Sequence, residues 1–111
     1  MKEQIPDRIS RAIQEFCYLL RKRLGPKVIE TRLFGSVARG TFTPQSDIDI
    51  LVIVQDNDKA YREVIIDLAV DINLQYDVVI SPIIMSVESF SRPLFQETYF
   101  YKSIQEEGIS L

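Results

Sequence analysis

Histidine is absent from this 111-residue sequence, and that absence removes several common kinds of active site. Ser-His-Asp and Cys-His catalysis need an imidazole, as do histidine-rich zinc sites. Cysteine occurs once, at Cys17, so the chain has no disulfide framework and we expect a reducing compartment. Cys17 falls among apolar helix positions and is expected in the core. Chemistry must therefore come from carboxylates, hydroxyls, basic residues or a bound cation.

Long apolar runs and a broad positive charge are also lacking. The longest apolar run, Ile50–Val54, is far shorter than the roughly 20 residues that cross a membrane, and the N-terminus has no apolar signal region. We therefore expect a cytoplasmic protein without a membrane partner. The net charge of −3 makes an extensive nucleic-acid surface unexpected.

The length and even composition predict a single domain over residues 1–111. Hydrophobic periodicity and turn residues predict alternating helices and strands. In chain order they are a helix at Asp7–Leu24, a strand at Lys27–Phe34, a short helix at Ser36–Arg39, a strand at Asp47–Val54, a helix over Tyr61–Ile72, a strand at Tyr76–Ser81 and a helix from Pro93 to Gly108. This order predicts an α/β fold in which helices pack on a small mixed β-sheet.

Local signals set the expected ends of these elements. Ser36 is a good N-cap for the short helix, and Pro82 is expected to end the third strand, leaving an irregular connection over Ile83–Met85. A polar loop containing Pro44 should join the short helix to the second strand. Three phenylalanines leave the oligomeric state open, since they could form an interface or complete the core: Phe42, Phe90 and Phe95.

Two aspartates stand at the start of the most hydrophobic strand. Asp47 and Asp49 are two residues apart, so they share a side of the strand with their Cα atoms about 6–7 Å apart. Carboxylates this close raise each other's pKa unless a cation lies between them. Oxygen ligands favour Mg²⁺ or Mn²⁺, and Mg²⁺ is commonly shared with substrate phosphates. If the next strand lies alongside, Asp77 would complete a three-carboxylate site for two ions.

The Gly35-Ser36 turn can serve the same site from the other side. Glycine permits close approach of a ligand to the backbone, and free N–H groups at a helix start favour an anion. Ser36 adds a hydroxyl, and Arg39 can reach a phosphate oxygen. Each feature alone is common in turns and solvated loops, but the ordered set is much more specific.

This set resembles the signature of the nucleotidyltransferase superfamily that includes DNA polymerase β, and specifically its minimal nucleotidyltransferase branch. The matching residues are Gly35-Ser36, Arg39-Gly40, Ser46-Asp47-Ile48-Asp49 and Asp77. The resemblance covers most of the chain and implies a polymerase β-like core. It also implies that the protein is the antitoxin of a HEPN toxin. Relatives often have a basic residue directly after the serine, where this chain has Val37.

Carried over by position, the resemblance assigns roles to seven residues. Asp47, Asp49 and Asp77 would be catalytic and would bind two Mg²⁺ ions, with Asp77 also a possible base for the acceptor. The triphosphate would be held by Gly35, Ser36, Arg39 and Ser46. The implied reaction transfers AMP from ATP to a hydroxyl, with a tyrosine of the HEPN toxin as the leading acceptor.

Two other functions stay open at this point. The chain could be an antitoxin that silences its toxin by contact alone, or a nucleotidyltransferase for small molecules such as aminoglycosides. A third aspartate favours an enzyme, because a site kept only for packing would tolerate asparagine or an apolar residue there. No part of the sequence is left over for binding a tRNA, a primer or an antibiotic, which favours a partner protein as the acceptor.

Overall fold

The computed structural model describes residues 5–43 and 45–111, so the predicted loop residue Pro44 lies outside the described part. The first half of the chain forms α1 (Asp7–Leu24), a 3₁₀ turn (Gly25–Lys27), β1 (Val28–Phe34), α2 (Gly35–Arg39) and β2 (Ile48–Val54). The second half forms α3 (Lys59–Tyr76), β3 (Ile80–Ser86), α4 (Val87–Phe90), α5 (Pro93–Gln96), α6 (Tyr99–Glu107) and β4 (Ile109–Ser110).

The four strands form one mixed sheet in the order β3-β2-β1-β4. β1 runs antiparallel to both β2 and β4, whereas β2 and β3 are parallel and are connected through α3. The predicted mixed sheet with packed helices is therefore correct. β2 lies between β1 and β3, so the residues that precede β3 and follow β1 both flank its first residues.

The two faces of the sheet are covered unequally. The larger core joins α1 and α3 to Leu33 and to alternate residues of β2, from Ile48 to Val54. The other face carries a smaller cluster of Leu51, Ile53 and Ile104, with aromatic side chains of α4 and α6 against it. Asp49 lies on this second face, because it alternates with Ile48 and Ile50 along the strand. The carboxylate side of β2 is thus the less covered side.

The long helices follow their sequence signals. α1 has the predicted bounds, and its buried stripe includes Cys17, which is 5% exposed. Asp58 caps α3 through its side chain, which accepts a hydrogen bond from the Ala60 N–H at 2.9 Å. Within the described residues, no helix is both long and apolar enough to cross a membrane.

The third strand was predicted in the wrong place. α3 continues through Tyr76, Asp77 is its C-cap with φ 54°, and β3 runs over Ile80–Ser86. Pro82 therefore lies inside a strand instead of ending one. β3 is an edge strand, where the missing N–H of proline can face away from the sheet.

Two smaller predictions are also corrected, and the places of three phenylalanines are now described. Ser36 is not the N-cap of α2: the cap is Phe34, and among the described residues no side chain caps this end. The helix predicted from Pro93 is two helices, because Thr98 caps a new one by accepting from the Tyr101 N–H at 3.1 Å. The phenylalanines left open are partly buried: Phe42 packs on the larger core and Phe90 on the smaller cluster, while Phe95 packs against other aromatic rings.

Candidate active site

The carboxylate pair lies where β2 begins. Asp47 directly precedes the strand and is exposed, whereas Asp49 is its second residue and is half-buried. Across the sheet, Asp49 is paired with Phe34 of β1 and Ser81 of β3. This register places Asp49 between Phe34 on one neighbouring strand and Ser81 on the other.

Gly35 joins the Gly-Ser turn to this pair. Its φ is 76°, a conformation that glycine adopts readily and other residues rarely do. A Cβ built on Gly35 would overlap Oδ2 of Asp49 and would stand 3.2 Å from its Cγ. The backbone at the start of α2 is thus packed directly against the Asp49 carboxylate. This contact brings the two predicted motifs into a single site.

The electrostatics of the pair fit a cation site. Burial raises the pKa of Asp49, and the neighbouring charge of Asp47 raises it further, while the charge of Arg39 lowers it. The carboxylates therefore repel each other, and Arg39 offsets only part of that repulsion. A divalent cation between the two carboxylates would offset their repulsion. The atoms that could bind it are carboxylate oxygens, which are the ligands that Mg²⁺ prefers.

The other predicted phosphate ligands differ in how available they are. Ser36 lies in the first turn of α2, and Arg39 is exposed in its last turn, 3.8 Å from Oε2 of Glu107. Ser46 is used locally: its Oγ accepts a hydrogen bond from the Thr43 N–H at 2.7 Å. Val37, at the position that is often basic in relatives, is buried in the core.

Asp77 is not brought to this site. It lies at the end of α3, and Ser81 takes the place beside Asp49 that Asp77 was expected to fill. Ser81 donates a hydrogen bond to Oδ2 of Asp47 at 3.4 Å. Within residues 5–43 and 45–111, no three carboxylate, thiol or imidazole side chains form a group that could hold a metal ion. The structure therefore unites two carboxylates, not the three on which the expectation of two ions depended.

Two residues near the site were missed by sequence reasoning. Ser81 could have been found only with the correct strand register, since the sequence placed it at the end of β3 rather than near its beginning. Glu107 gave no local signal, because it reaches Arg39 only through the packing of α6 beside α2.

A protein-family model described as "Nucleotidyltransferase domain" matches residues 11–111 of the chain. The chain therefore belongs to the nucleotidyltransferase domain family and is a nucleotidyltransferase, as its motifs predicted. It is 41% identical over 98 residues to the "Putative protein adenylyltransferase MJ0604" of Methanocaldococcus jannaschii. That alignment covers 88% of this chain and 92% of the relative.

Solved structures support the fold. A chain in a variant of the MntA–HpeT toxin–antitoxin complex matches with a TM-score of 0.59 and 26% identity, covering 97% of this chain and 72% of the other. A chain in the complex of a tri-AMPylated HEPN toxin from Shewanella oneidensis with an MNT antitoxin matches with a TM-score of 0.54 and 22% identity, covering 91% and 69%. These matches confirm the expected polymerase β-like nucleotidyltransferase architecture.

Proposed function

We propose that this chain is an antitoxin that transfers AMP from ATP to a hydroxyl of a HEPN toxin, in a reaction that depends on Mg²⁺. The observation that carries the proposal is the contact between Gly35 and the Asp49 carboxylate. A backbone turn suited to a phosphate is packed against a carboxylate pair suited to a metal, so one metal-bound triphosphate can engage both.

The residues of this site would divide the work between them. Asp47 and Asp49 would hold Mg²⁺, and Ser81 would help to orient Asp47 through its hydrogen bond. The triphosphate would be held by the backbone at Gly35, the hydroxyl of Ser36 and the guanidinium of Arg39, with Ser46 at the edge of the site. Bound Mg²⁺ would neutralise triphosphate charge and lower the pKa of the attacking hydroxyl. Asp77 has no place in this metal site.

The proposed step is a nucleotidyl transfer. The acceptor oxygen forms a bond to the α-phosphorus of ATP, and the bond from that phosphorus to the oxygen bridging the α- and β-phosphates breaks. Pyrophosphate leaves with the electron pair, and the hydroxyl proton passes to solvent. The protein supplies orientation and a fixed electrostatic environment for this exchange.

The comparisons support ATP as the source of the transferred group and a toxin as the partner. The Methanocaldococcus jannaschii relative is named as a protein adenylyltransferase, which favours AMP as the transferred group and a protein as the acceptor. The structural matches come from toxin–antitoxin complexes, and one of them contains an AMPylated HEPN toxin. A tyrosine of the toxin is the acceptor that the motif resemblance implies.

The test incubates the chain with labelled ATP, Mg²⁺ and a HEPN toxin, and then follows the mass of the toxin and its ribonuclease activity. The wild-type chain should add AMP to the toxin and silence it, and the Asp47→Asn/Asp49→Asn variant should do neither. Asp67→Asn/Asp71→Asn is the matched control, since both residues are exposed on α3. Silencing by the Asp47/Asp49 variant without any mass gain would show a binding antitoxin instead.

A further inference from the structure

Arg39 lies within reach of two separate groups of carboxylates. One is the Asp47–Asp49 pair, because Arg39 is close enough to Asp49 for its charge to lower the pKa of that carboxyl. The other is Glu107, whose Oε2 lies 3.8 Å from Nη1 of Arg39. The Arg39 side chain is 46% exposed, so it can reorient between these groups without disturbing the core.

The two groups of carboxylates compete for this guanidinium. Asp47 and Asp49 repel each other, so a positive charge placed between them is favourable. In the proposed site that charge is Mg²⁺, but a guanidinium that bound both carboxylates would occupy the same position. Arginine binds carboxylate oxygens readily, because it offers several N–H donors in a fixed geometry. An unrestrained Arg39 would therefore oppose metal binding.

The ion pair that Arg39 makes in the structure is with Glu107. Among the described residues, no ion pair joins Arg39 to Asp47 or to Asp49. The guanidinium thus stays at the end of α2, beside the carboxylate pair and not between its members. From this position it can meet a triphosphate bound at the Gly35-Ser36 turn, one helical turn earlier in α2.

The position of Glu107 is fixed by the elements on both sides of it. Glu107 is the last residue of α6, and this helix is anchored by Ile104, which is fully buried in the smaller cluster. The chain then leaves the helix at Gly108, whose N–H donates to the Ile104 carbonyl at 2.8 Å, and Ile109 pairs with Leu33 of β1. Because β1 leads directly into α2, the fold holds the Glu107 carboxylate near the end of α2.

We propose that Glu107 is a positioning residue: it holds the guanidinium of Arg39 away from the carboxylate pair, so that the metal position stays open and the guanidinium stays at the triphosphate turn. Glu107 itself touches neither the metal nor the substrate. This inference rests on the proposed function and extends it, because it gives α6 a part in assembling the site.

The first test is the affinity for Mn²⁺ alone, measured by calorimetry without toxin or nucleotide. Glu107→Gln should raise the Mn²⁺ Kd about threefold to fivefold, since the free energy of an exposed ion pair is small. Glu106→Gln is the matched control, because Glu106 is exposed, adjacent in the chain and of the same charge. At about 0.15 M salt, where charges at a distance are screened, this control should change the Kd less than about twofold.

The Arg39→Ala background separates positioning from any other effect of Glu107. Without the guanidinium, Glu107→Gln should change the Mn²⁺ Kd no more than Glu106→Gln does. If Glu107→Gln weakens Mn²⁺ binding as much without Arg39 as with it, Glu107 acts on the metal directly or through the fold, and the inference is wrong. An unchanged Kd for Glu107→Gln when Arg39 is present would overturn it as well.

AMP transfer gives a second readout. In Glu107→Gln, the Mg²⁺ concentration for half-maximal transfer should rise by the same factor as the Mn²⁺ Kd. The rate at saturating Mg²⁺ should stay within about twofold of the wild-type rate, because bound metal displaces the guanidinium. A lower rate that excess Mg²⁺ does not restore would contradict the positioning role.

The two measurements separate this inference from the proposed function. If the wild-type chain binds Mn²⁺ and transfers no AMP, the proposed function fails, and the Mn²⁺ affinities of the variants still decide the inference. If the wild-type chain transfers AMP and Glu107→Gln binds Mn²⁺ as the wild type does, the inference alone fails. If the wild-type chain binds no Mn²⁺, the proposed metal site and the inference fail together.

Discussion

Asp49 is under two opposing demands. In the proposed metal site it would have to be charged, yet it is half-buried and lies beside Asp47. Burial and the charge of Asp47 both raise the pKa of Asp49, and the charge of Arg39 only partly opposes them. Without a bound cation, the charged form of Asp49 therefore weakens the fold. Such a cost is expected at functional sites, where a residue is retained for chemistry instead of for stability.

Asp49→Asn should stabilise the metal-free protein above the ordinary pKa of aspartate. Because the pKa of Asp49 is raised in the folded state, the folded protein holds the proton of Asp49 more tightly than the unfolded chain does. The stability that this gives is present at low pH and is lost as pH rises through the folded pKa. The variant should therefore gain thermal stability over the wild type between about pH 4 and about pH 8 in EDTA. Asp67→Asn serves as the exposed control. If the thermal unfolding midpoint of Asp49→Asn were lower than that of the wild type at the upper end of this pH range, the electrostatic explanation would be contradicted.

Gly35 needs glycine for two reasons: its positive φ and the lack of space for a Cβ. Comparison with Gly25, which has only the positive φ, distinguishes the two effects. Both have positive φ, but a Cβ on Gly25 would meet nothing within 4 Å, whereas one on Gly35 would overlap Asp49. Gly25→Ala should cost about 1–3 kcal/mol from backbone strain alone, because its φ of 55° and ψ of −129° are rarely adopted by residues with a Cβ. Gly35→Ala should cost at least about 1 kcal/mol more, because the Asp49 carboxylate must move.

Urea unfolding measures both costs, and calorimetry with MgATP adds the functional comparison. Gly35→Ala should lose MgATP binding, and Gly25→Ala should keep it. Equal effects of the two substitutions on unfolding and on MgATP binding would show that the carboxylate is not packed on Gly35.

At the scale of elements, the junction of α3 and β3 marks the limit of what the sequence could predict. α1 and the body of α3 were predicted correctly, because each has an apolar stripe at helical spacing. α3 also has the Asp58 cap at its start. The β-branched run after Tyr76 also suggested an earlier strand. The helix end is instead held from afar, because Arg8 donates to its last carbonyls and Asn73 accepts from the Ile80 N–H at 2.7 Å. Contacts across such separations leave no local pattern.

The same limit decided which residues of the candidate site could be predicted from the sequence. Gly35, Asp47 and Asp49 could be grouped from their spacing, since a turn and a strand entrance lie close together in the chain. Ser81 and Glu107 could not, because their places depend on strand register and helix packing. Asp77 was assigned to the metal site through the misplaced strand, and it lies instead at the C-cap of α3.

The left-handed conformation of Asp77 gives a prediction for α3. Asp77→Gly should stabilise the protein by about 0.5 kcal/mol, because glycine has no Cβ to strain at φ 54°. Asp77→Ala should destabilise it, since alanine has the Cβ without the polar side chain. Urea midpoints for the pair measure the difference. Equal midpoints for the glycine and alanine variants would place this residue outside the left-handed region.

At the scale of the whole molecule, unequal covering of the sheet leaves room for a site. The larger core, under α1 and α3, fixes the sheet, and the smaller cluster around Leu51, Ile53 and Ile104 covers only part of the opposite face. The uncovered start of β2 on that face presents Asp49 beside the Gly35 turn. The chain thus combines a well-packed scaffold with an open start of β2, where the proposed reaction would bring the nucleotide and its acceptor together.

The position of the label in ATP tests AMP transfer most directly. With the toxin and Mg²⁺ present, ATP labelled at the α-phosphate should label the toxin, and ATP labelled at the γ-phosphate should not, with its label recovered in pyrophosphate. Asp49→Asn should abolish the α-label, and Asp67→Asn should retain it. Label reaching the toxin from the γ-phosphate, or no label from either position with the wild-type chain, would contradict transfer of AMP at the Asp47–Asp49 site.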